Sequence, residues 1–549
     1  MAKRAHAYPQ VDPGAAALVD APVASVPRGA RVGEALRLAR RRQAVAVSAD
    51  GRAWILRDDL ARAARLGLDE LPAAMLARPV PAVESRVSEI AVRRHLASGA
   101  SVVIVRDGRR GALGAIGAVA ATTFTSSSPR FPERLSAFAR DALTALGPVA
   151  REQKAAAFLV GGVVRDALRS PGPLATRDLD VVVEGDGIAV ARALAGALGV
   201  GTGSLTEHAR FLTASLTSPQ RARVDIATAR SERYETPGAL PRVMPASIGE
   251  DLGRRDFTIN AMAVELASEG YGVLDPFGGR AALAQRRIAV LHPLSFVEDP
   301  TRLFRAARYA ARLGFTLDAW TARAVGLALR LAPYTALSGQ RLAAELALIV
   351  GDQRPDVALR QLGTAGVFRL LAADHRFSDA TAERVRRLPA ALAWCRAHGV
   401  TPTAIETAAV VVLFGQPSAV IRAALDRLVI TGEPRARIER ALARRVTPAA
   451  AGTRASDRAR PWWGLDDLEI LVTWLGGGAA RRDVEWFVET AQTARPALGG
   501  DDVVAAGVAP GPRVAEALRA LRDARLDRRV TDRDSEVLFV QGFVSRKEG

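Results

Sequence analysis

The sequence predicts an α+β chain, with a small mixed sheet and flanking helices between a duplicated α/β module and a long helical remainder. Three observations predict it. From Phe158 to Asp186 an apolar run reaches Gly161-Gly162, enters a helix-compatible segment, and returns as the strand-like Asp178-Leu179-Asp180-Val181-Val182-Val183. Between residues 26 and 120 one helix–strand–turn–strand pattern occurs twice, at a spacing of about 55 residues. Beyond Leu313-Gly314-Phe315, apolar positions recur at helical spacing.

Composition narrows the function classes. The chain of 549 residues exceeds a single core, and at about 150 residues per domain it holds about three or four. Its net charge of +18 and pI of 11.1 fit a protein that holds a polyanion. Lys3, Lys154 and Lys547 are the only lysines, so the positive charge is almost all arginine. A codon bias towards Arg and Ala accounts for that choice without requiring the net excess. One cysteine, Cys395, excludes an intramolecular disulfide framework and a Cys-cluster zinc site and fits a reducing compartment. Lys3 and Arg4 precede an Ala15–Ala24 run that Asp20 and Pro22 interrupt, too short for a signal core or a span. A soluble, cytoplasmic protein with no membrane partner is expected.

In chain order, residues 1–25 read as a flexible lead. In the pair spanning 26–120, Arg31-Val32-Gly33-Glu34 opens a helix, followed by Ala44–Val47, Asp50-Gly51-Arg52 and Ala53–Leu56. Arg86-Val87-Ser88-Glu89 opens the second copy, followed by Ser101–Val105, Asp107-Gly108-Arg109 and Ala112–Ile116. The Ser/Thr/Pro-rich stretch in 121–134 reads as a linker. Residues 135–285 form the head, 286–350 a neck, and 351–549 a helical body and tail. Helices are expected over Ala322–Leu331, Arg341–Val350, Pro355–Leu371, Ala380–Ala397, Ile405–Phe414, Ala419–Leu428 and Pro434–Arg445, with Arg454–Arg460 a break. Repeated basic positions along them predict a surface that follows a phosphate backbone.

The head carries the chemistry. A helix opening at Gly161-Gly162, with Arg165 and Asp166 in its first turn, offers unpaired N–H groups and close approach to a phosphate. Residues two apart on a strand share a face, so Asp178 and Asp180 project together as a hard-oxygen site for Mg²⁺. After an Ala-rich helix at Gly187–Leu198, strands are expected around Arg210–Leu216 and Arg223–Ala227. Asp225 on the latter is a third carboxylate or a turn former. Ala229–Gly253 reads as a polar loop with three prolines. In Arg254-Arg255-Asp256-Phe257-Thr258-Ile259-Asn260, the arginines can reach a triphosphate, Asp256 can orient one, and Asn260 can read a ribose hydroxyl one helical turn on. In Glu298-Asp299-Pro300-Thr301-Arg302-Leu303-Phe304-Arg305-Ala306-Ala307-Arg308, proline starts a helix and three arginines line one stripe, which calls for a shared anion.

The glycine pair followed by D-x-D resembles the polymerase β-like nucleotidyltransferases. LVGG-V-V-RD, RD-L-D-VVVEGD, RRDFTINAMA and EDPTRLFRAAR resemble the class II tRNA nucleotidyltransferase and bacterial poly(A) polymerase family. That resemblance implies a nucleotidyltransferase head with a small mixed sheet followed by an all-α neck, body and tail. It implies transfer of CMP and AMP from CTP and ATP to a tRNA 3′ end, with Mg²⁺ held by Asp178 and Asp180 and assisted by Asp225. Nucleotide contacts would come from Gly161, Gly162, Arg165, Asp166, Arg255, Asp256, Asn260, Asp299, Arg302, Arg305 and Arg308. In the family, the Asp and first Arg of EDxxR, here Asp299 and Arg302, hydrogen-bond the Watson–Crick edge of CTP or ATP, and Arg305 and Arg308 would reach the phosphates. The 229–253 segment resembles the family's nucleotide-choosing loop, and Leu212 stands where glycine is expected. Leu274-Asp275-Pro276-Phe277-Gly278-Gly279 reads as a structural turn, Arg341–Leu348 as the neck helix, and Pro510-Gly511-Pro512 as an RNA-phosphate grip or an ordinary cap. The N-terminal pair resembles CBS domains, implying an adenine nucleotide in its cleft, with Asp58 or Asp59 at the ribose, or else a scaffold for homodimerisation or substrate placement. Three rivals share the motifs: a CC-only or A-only enzyme, a poly(A) polymerase, and an inactive RNA-binding or adenylate-sensing protein. Intact Asp178, Asp180, Asp299 and Arg302 oppose the last.

Overall fold

The computed structural model describes residues 14–108, 111–117, 132–170, 172–174, 178–200, 204–218, 222–266, 271–444, 447–450 and 452–545. The expected lead before residue 14, most of the linker and Arg109 lie outside them. The chain divides into two compact units, Met1–Ser338 and Gly339–Gly549. The division falls within the expected neck.

The N-terminal duplication is present as repeated topology. In the first copy β1 (Val23–Ser25) leads to the helix Val32–Arg41, then β2 (Ala46–Ser48) and β3 (Ile55–Leu56). In the second, β4 (Ala82–Glu84) leads to the helix Glu89–Ala97, then β5 (Val102–Asp107) and β6 (Gly111–Gly117). In both, the first strand runs parallel to the second and the second antiparallel to the third. A strand therefore precedes each helix, which the apolar pattern of three-residue β1 and β4 is too short to show. The Asp-Gly turn of the first copy is held by its own side chain: Asp50 Oδ1 accepts from the N–H groups of Arg52 and Ala53.

The head is a mixed seven-stranded sheet. Its strands are β7 (Ala156–Val160), β8 (Asp178–Glu184), β9 (Leu205–His208), β10 (Thr213–Thr217) and β11 (Arg223–Thr228), and, beyond the hairpin β12 (Arg230–Arg233) and β13 (Arg242–Pro245), β14 (Ala263–Glu265) and β15 (Val273–Leu274). The order is β15-β14-β7-β8-β11-β10-β9. Only β8 and β11 are parallel neighbours, which brings the D-x-D strand and the Asp225 strand side by side. Leu159, Leu179, Val181, Val183, Val224 and Ile226 point to one face and pack under the helices Ala137–Glu152 and Gly187–Ala197. Phe158, Val160 and Val182 point to the other, against Ile248, Leu252 and Leu274. The helices thus bury one face entirely and leave the second open where β8 begins.

Three expectations need correction here. The strand placed at Arg210–Leu216 starts at Thr213, because Ala209–Phe211 is a 3₁₀ turn and Leu212 is left-handed at φ 53°. That φ is why glycine was the expected residue. The Ala229–Gly253 segment is no structureless loop: β12 and β13 pair antiparallel and a short helix, Ile248–Gly253, follows with a Ser247/Glu250 capping box. Past Arg255 the chain is extended at Phe257 and makes a 3₁₀ turn at Thr258–Asn260, so Asn260 is not one α-helical turn along.

The C-terminal unit is helical. Gly339–Val350, Pro355–Thr364, Asp379–Ala397, Ala404–Leu413, Ser418–Arg427 and Gly432–Ala443 lie close to the expected spans. The expected Pro355–Leu371 helix ends early and gives way to a 3₁₀ turn after Gly366, which is left-handed. Arg454–Arg460 is not a break: Ala455–Ala459 forms a helix whose Ser456 donates to Asp527 and whose Arg458 pairs with Asp483. The apolar helix Asp467–Gly476 and the charged helix Gly478–Trp486, divided by Gly477 alone, lie in a stretch for which no element is expected from the sequence. Many arginines in this unit are engaged inside it, as in Arg437–Glu406, Arg444–Glu469 and the stack of Arg384 on Phe414. Among the described residues no helix is long and apolar enough to cross a membrane.

Candidate functional site

The site starts where β7 runs out. Gly161 has φ 74° and ψ −138°, a conformation that glycine adopts without strain, and it turns the chain into the helix Gly162–Arg169. Crowding adds to the requirement. A Cβ on Gly161 would lie 3.2 Å from Asp180 Oδ2 and 3.7 Å from Arg255 Nη1. The phosphate turn, the second carboxylate of D-x-D and an arginine of the RRD motif therefore meet at one backbone position.

Alternation along β8 buries Leu179 and Val181 and exposes Asp178 and Asp180 on the open face. Asp225 is the parallel-register partner of Asp180. Its carboxylate is turned towards its own strand pair, where Oδ1 accepts from Ser215 Oγ at 2.5 Å and from Arg223 Nε at 2.7 Å. Among the described residues no three His, Cys, Asp or Glu side chains are placed together as a ready metal cage. Desolvation raises the pKa of Asp180, with Asp225 and Asp178 adding to it and Arg255 opposing. A carboxylate whose ionisation is resisted by burial and by neighbouring acids, on a face that offers only oxygen, fits a hard divalent cation.

Beside them the arginines are held by acids. Asp251, fully buried, accepts from Arg254 Nε at 2.9 Å and Nη2 at 2.7 Å, and from Arg255 Nη2 at 2.9 Å. Asp256 does not orient its neighbouring arginines as expected; it accepts from Arg305 Nε at 2.9 Å and Nη2 at 2.6 Å, and from Asn260 Nδ2 at 3.0 Å. Burial alone would raise Asp256, but Arg305 and Asn260 outweigh it and hold it below the ordinary range. Arg165 is buried, with a fork onto Asp166 and Nη1 donating to Asn260 Oδ1 at 2.9 Å. Asn260 thus ties the phosphate helix to the RRD motif.

The helix Thr301–Leu313 supplies the rest. Arg302 is buried; its Nη1 donates to Ser295 Oγ at 2.8 Å and its Nη2 to the Arg254 carbonyl at 2.7 Å. Asp299 Oδ1 caps the helix start through Thr301 N and Oγ1. Tyr234, carried in by β12, is buried with its hydroxyl on Glu232 Oε2, and Glu232 in turn accepts from Arg254 Nη1 at 2.7 Å. Arg308, Arg165, Arg305 and Arg312 surround the Tyr309 ring at 5.1, 5.5, 5.7 and 5.9 Å from its centroid. An aromatic face accepts several guanidiniums whose mutual repulsion would otherwise spread them.

The structure brings Gly161, Gly162, Arg165, Asp166, Asp180, Arg255, Asp256, Asn260 and Arg305 into one connected network, and Asp299, Arg302 and Arg308 share the helix that carries Arg305. Sequence reasoning missed Asp251, Glu232, Tyr234 and Tyr309. Asp251 had a signal, since it stands three and four residues before Arg254 and Arg255, which follow directly on its short helix. Tyr234 had none, because its burial depends on the fold of the hairpin.

Comparison with known proteins adds three findings. Residues 157–289 match the family model described as the poly A polymerase head domain. The chain is 34% identical over 387 residues to a CC-adding tRNA nucleotidyltransferase of Deinococcus radiodurans, covering 70% of this chain and 89% of the relative. It is 34% identical over 410 residues to an A-adding tRNA nucleotidyltransferase of Geobacter sulfurreducens, covering 71% of this chain and 46% of the relative. The chain spans between 23% and 57% of the length of three A-adding relatives it matches. Among solved structures, a CCA-adding enzyme in an apo form matches with a TM-score of 0.64 at 27% identity, covering 75% of this chain and 97% of that one.

Proposed function

The chain belongs to the tRNA nucleotidyltransferase family, and on that premise we propose that it adds CMP and AMP from CTP and ATP to the tRNA 3′ end, completing the CCA terminus. The observation that carries the reading is the meeting of Gly161, Asp180 and Arg255 at one backbone turn, joined through Asn260 and Asp256 to the arginine-bearing helix. A template-independent polymerase needs a metal site, a triphosphate seat and a base reader in fixed relation, with no protein nucleophile.

In this reading Asp178 and Asp180 hold Mg²⁺, with Asp225 beside them. When bound, Mg²⁺ supplies activation of the terminal 3′-hydroxyl and charge neutralisation for the leaving pyrophosphate. The N–H groups at Gly161 and Gly162 approach the phosphates, and Arg165, Arg255, Arg305 and Arg308 balance their charge. Asp166, Asp251 and Asp256 hold those guanidiniums in place before the nucleotide arrives, so less side-chain entropy is lost on binding. Asp299 and Arg302 read the base: a carboxylate accepts from the exocyclic amine that cytosine and adenine share, and a guanidinium donates to a ring nitrogen or carbonyl. The N-terminal duplication is proposed to be a CBS-like pair, supported by the identical strand topology of its two copies. There Asp59 is buried against Arg78 Nε at 3.1 Å, which leaves exposed Asp58 as the candidate for an adenine nucleotide.

A-only addition is the second reading, favoured by the relatives named A-adding. Labelled CTP and ATP, offered separately and together to tRNA ending at the discriminator base, at C and at CC, decide between them. Addition of all three nucleotides to the shortest tRNA followed by a stop supports the proposal. Stalling at CC, acceptance of ATP by the CC end alone, or unlimited A tails would replace it with a CC-adding, A-adding or poly(A) activity.

A further inference from the structure

The N-terminal repeat reaches the nucleotide-selecting element directly. From the helix Arg57–Arg65, Arg62 Nη1 donates to Glu298 Oε1 at 2.7 Å, across 236 residues of sequence. Glu298 is almost fully buried, and its other oxygen lies 3.3 Å from His292 Nε2. Two further contacts fix the same region. Arg78 Nη1 donates to the Leu291 carbonyl and lies over the Trp320 ring, and the N–H of Gly238, at the end of the hairpin, is shared between the carbonyls of Val297 and Glu298. A second docking point is backbone on backbone: a Cβ on Gly99 would fall 2.2 Å from the Gly278 nitrogen.

We infer that the helix Arg57–Arg65 is a working part of the nucleotide-selecting site, with Arg62 a positioning residue that sets Asp299 through Glu298. The inference rests on the nucleotide-adding reading of that site. Glu298 and Asp299 share a peptide unit, so a backbone shift that follows the Glu298 carboxylate also moves Asp299. Arg62 is the guanidinium that bonds the Glu298 carboxylate. The remaining charges around it are Arg302, Asp299, Asp59 and Arg65, with Tyr234 neutral. Burial and the Arg62 charge lower His292 to about 4, so it is a neutral donor at working pH, and the His292 contact first and Arg62 second hold Glu298 at about 2 against the cost of its burial. Without Arg62, the buried carboxylate would be left with a neutral imidazole, and it would recover its charge balance by drawing a proton onto His292 or by moving.

The experiment compares wild type, Arg62→Ala and Arg62→Lys in the whole chain. It measures kcat and KM for CTP and for ATP on tRNA, and the titration of the His292 ring by NMR. Arg62→Ala is expected to change the CTP-to-ATP ratio of kcat/KM by about tenfold, the size of a typical coupling between sites, and to raise the His292 pKa. Arg62→Lys should restore both in part, because the contact uses one nitrogen and needs a charge more than a fork. An active wild type with unchanged selectivity in Arg62→Ala overturns the inference and leaves the functional reading standing. An inactive wild type overturns the functional reading itself. Should Arg62→Ala not fold, Gly99→Ala, which forces the docked backbones apart without touching the charge, replaces it; unchanged selectivity in that variant overturns the coupling.

Discussion

Replacing Gly161 with alanine tests the site at the point where fold and chemistry are hardest to separate. At φ 74° and ψ −138° an L residue is strained by about 1–3 kcal/mol. The added Cβ also meets Asp180 Oδ2 at 3.2 Å, tighter than an ordinary carbon–oxygen contact. Either the end of β7 or the Asp180 carboxylate must give way by a few tenths of an ångström. Stability should therefore fall by about 1–3 kcal/mol, and because a shift of about 1 Å costs reactions of this kind about a hundredfold, the transfer rate should fall by tens of fold. Denaturant unfolding reads the first, and single-turnover incorporation of labelled nucleotide at saturating nucleotide and metal reads the second. The rate should suffer more than KM, since the Cβ meets Arg255 Nη1 only at an ordinary van der Waals distance of 3.7 Å. Wild-type stability together with wild-type rate would refute the claim that this glycine is required by both backbone and carboxylate.

Asp180→Asn should abolish transfer yet melt at or above wild type at neutral pH without metal. Burial and the neighbouring acids raise the Asp180 pKa, so its ionisation opposes folding above that value and ceases to matter once pH falls below the ordinary aspartate range; a lower melting temperature at neutral pH would contradict this. Asp251→Ala should cost about 3 kcal/mol in urea unfolding, the lower end for breaking a buried pair because Arg254 and Arg255 still reach solvent; a loss within error of zero would show that the arginines do not need their acid. Leu212→Gly should lie within about 1 kcal/mol of wild type, since relief of the left-handed backbone offsets the added freedom of the unfolded chain. Leu212→Val should melt lower than both, and the reverse order would refute the strain.

Legibility in the sequence followed the range of the interactions. The β7–turn–helix, the D-x-D alternation and most helices of the C-terminal unit are set by residues a few positions apart, and those local periods were readable. Leu212 stands where glycine is expected, and its left-handed φ gives the physical reason: the turn keeps its backbone shape although the side chain is unfavourable there. The hairpin β12–β13 reads as loop in the sequence because its strands are only four residues long and none of those residues is fully buried, so no buried face imposes alternation. Arg454–Arg460 reads as a break in the sequence because its helix is held by Asp483 and Asp527 from far along the chain.

The pairing of acids with arginines went furthest beyond what the sequence could show. A net charge of +18 and three arginines on one helix stripe predict a surface hungry for anions. In the folded chain Arg165, Arg254, Arg255 and Arg305 each already have a carboxylate partner, and Tyr309 offers its face to Arg165, Arg305, Arg308 and Arg312. Such a site cannot be a loose basic patch. Guanidiniums that are half-neutralised and locked attract a polyanion less strongly at long range, but they present their donors in fixed directions, and it is direction that an in-line transfer requires. The same logic places Arg62: a cation supplied from the N-terminal repeat joins His292 in keeping Glu298 charged, one peptide away from the carboxylate that would read the base.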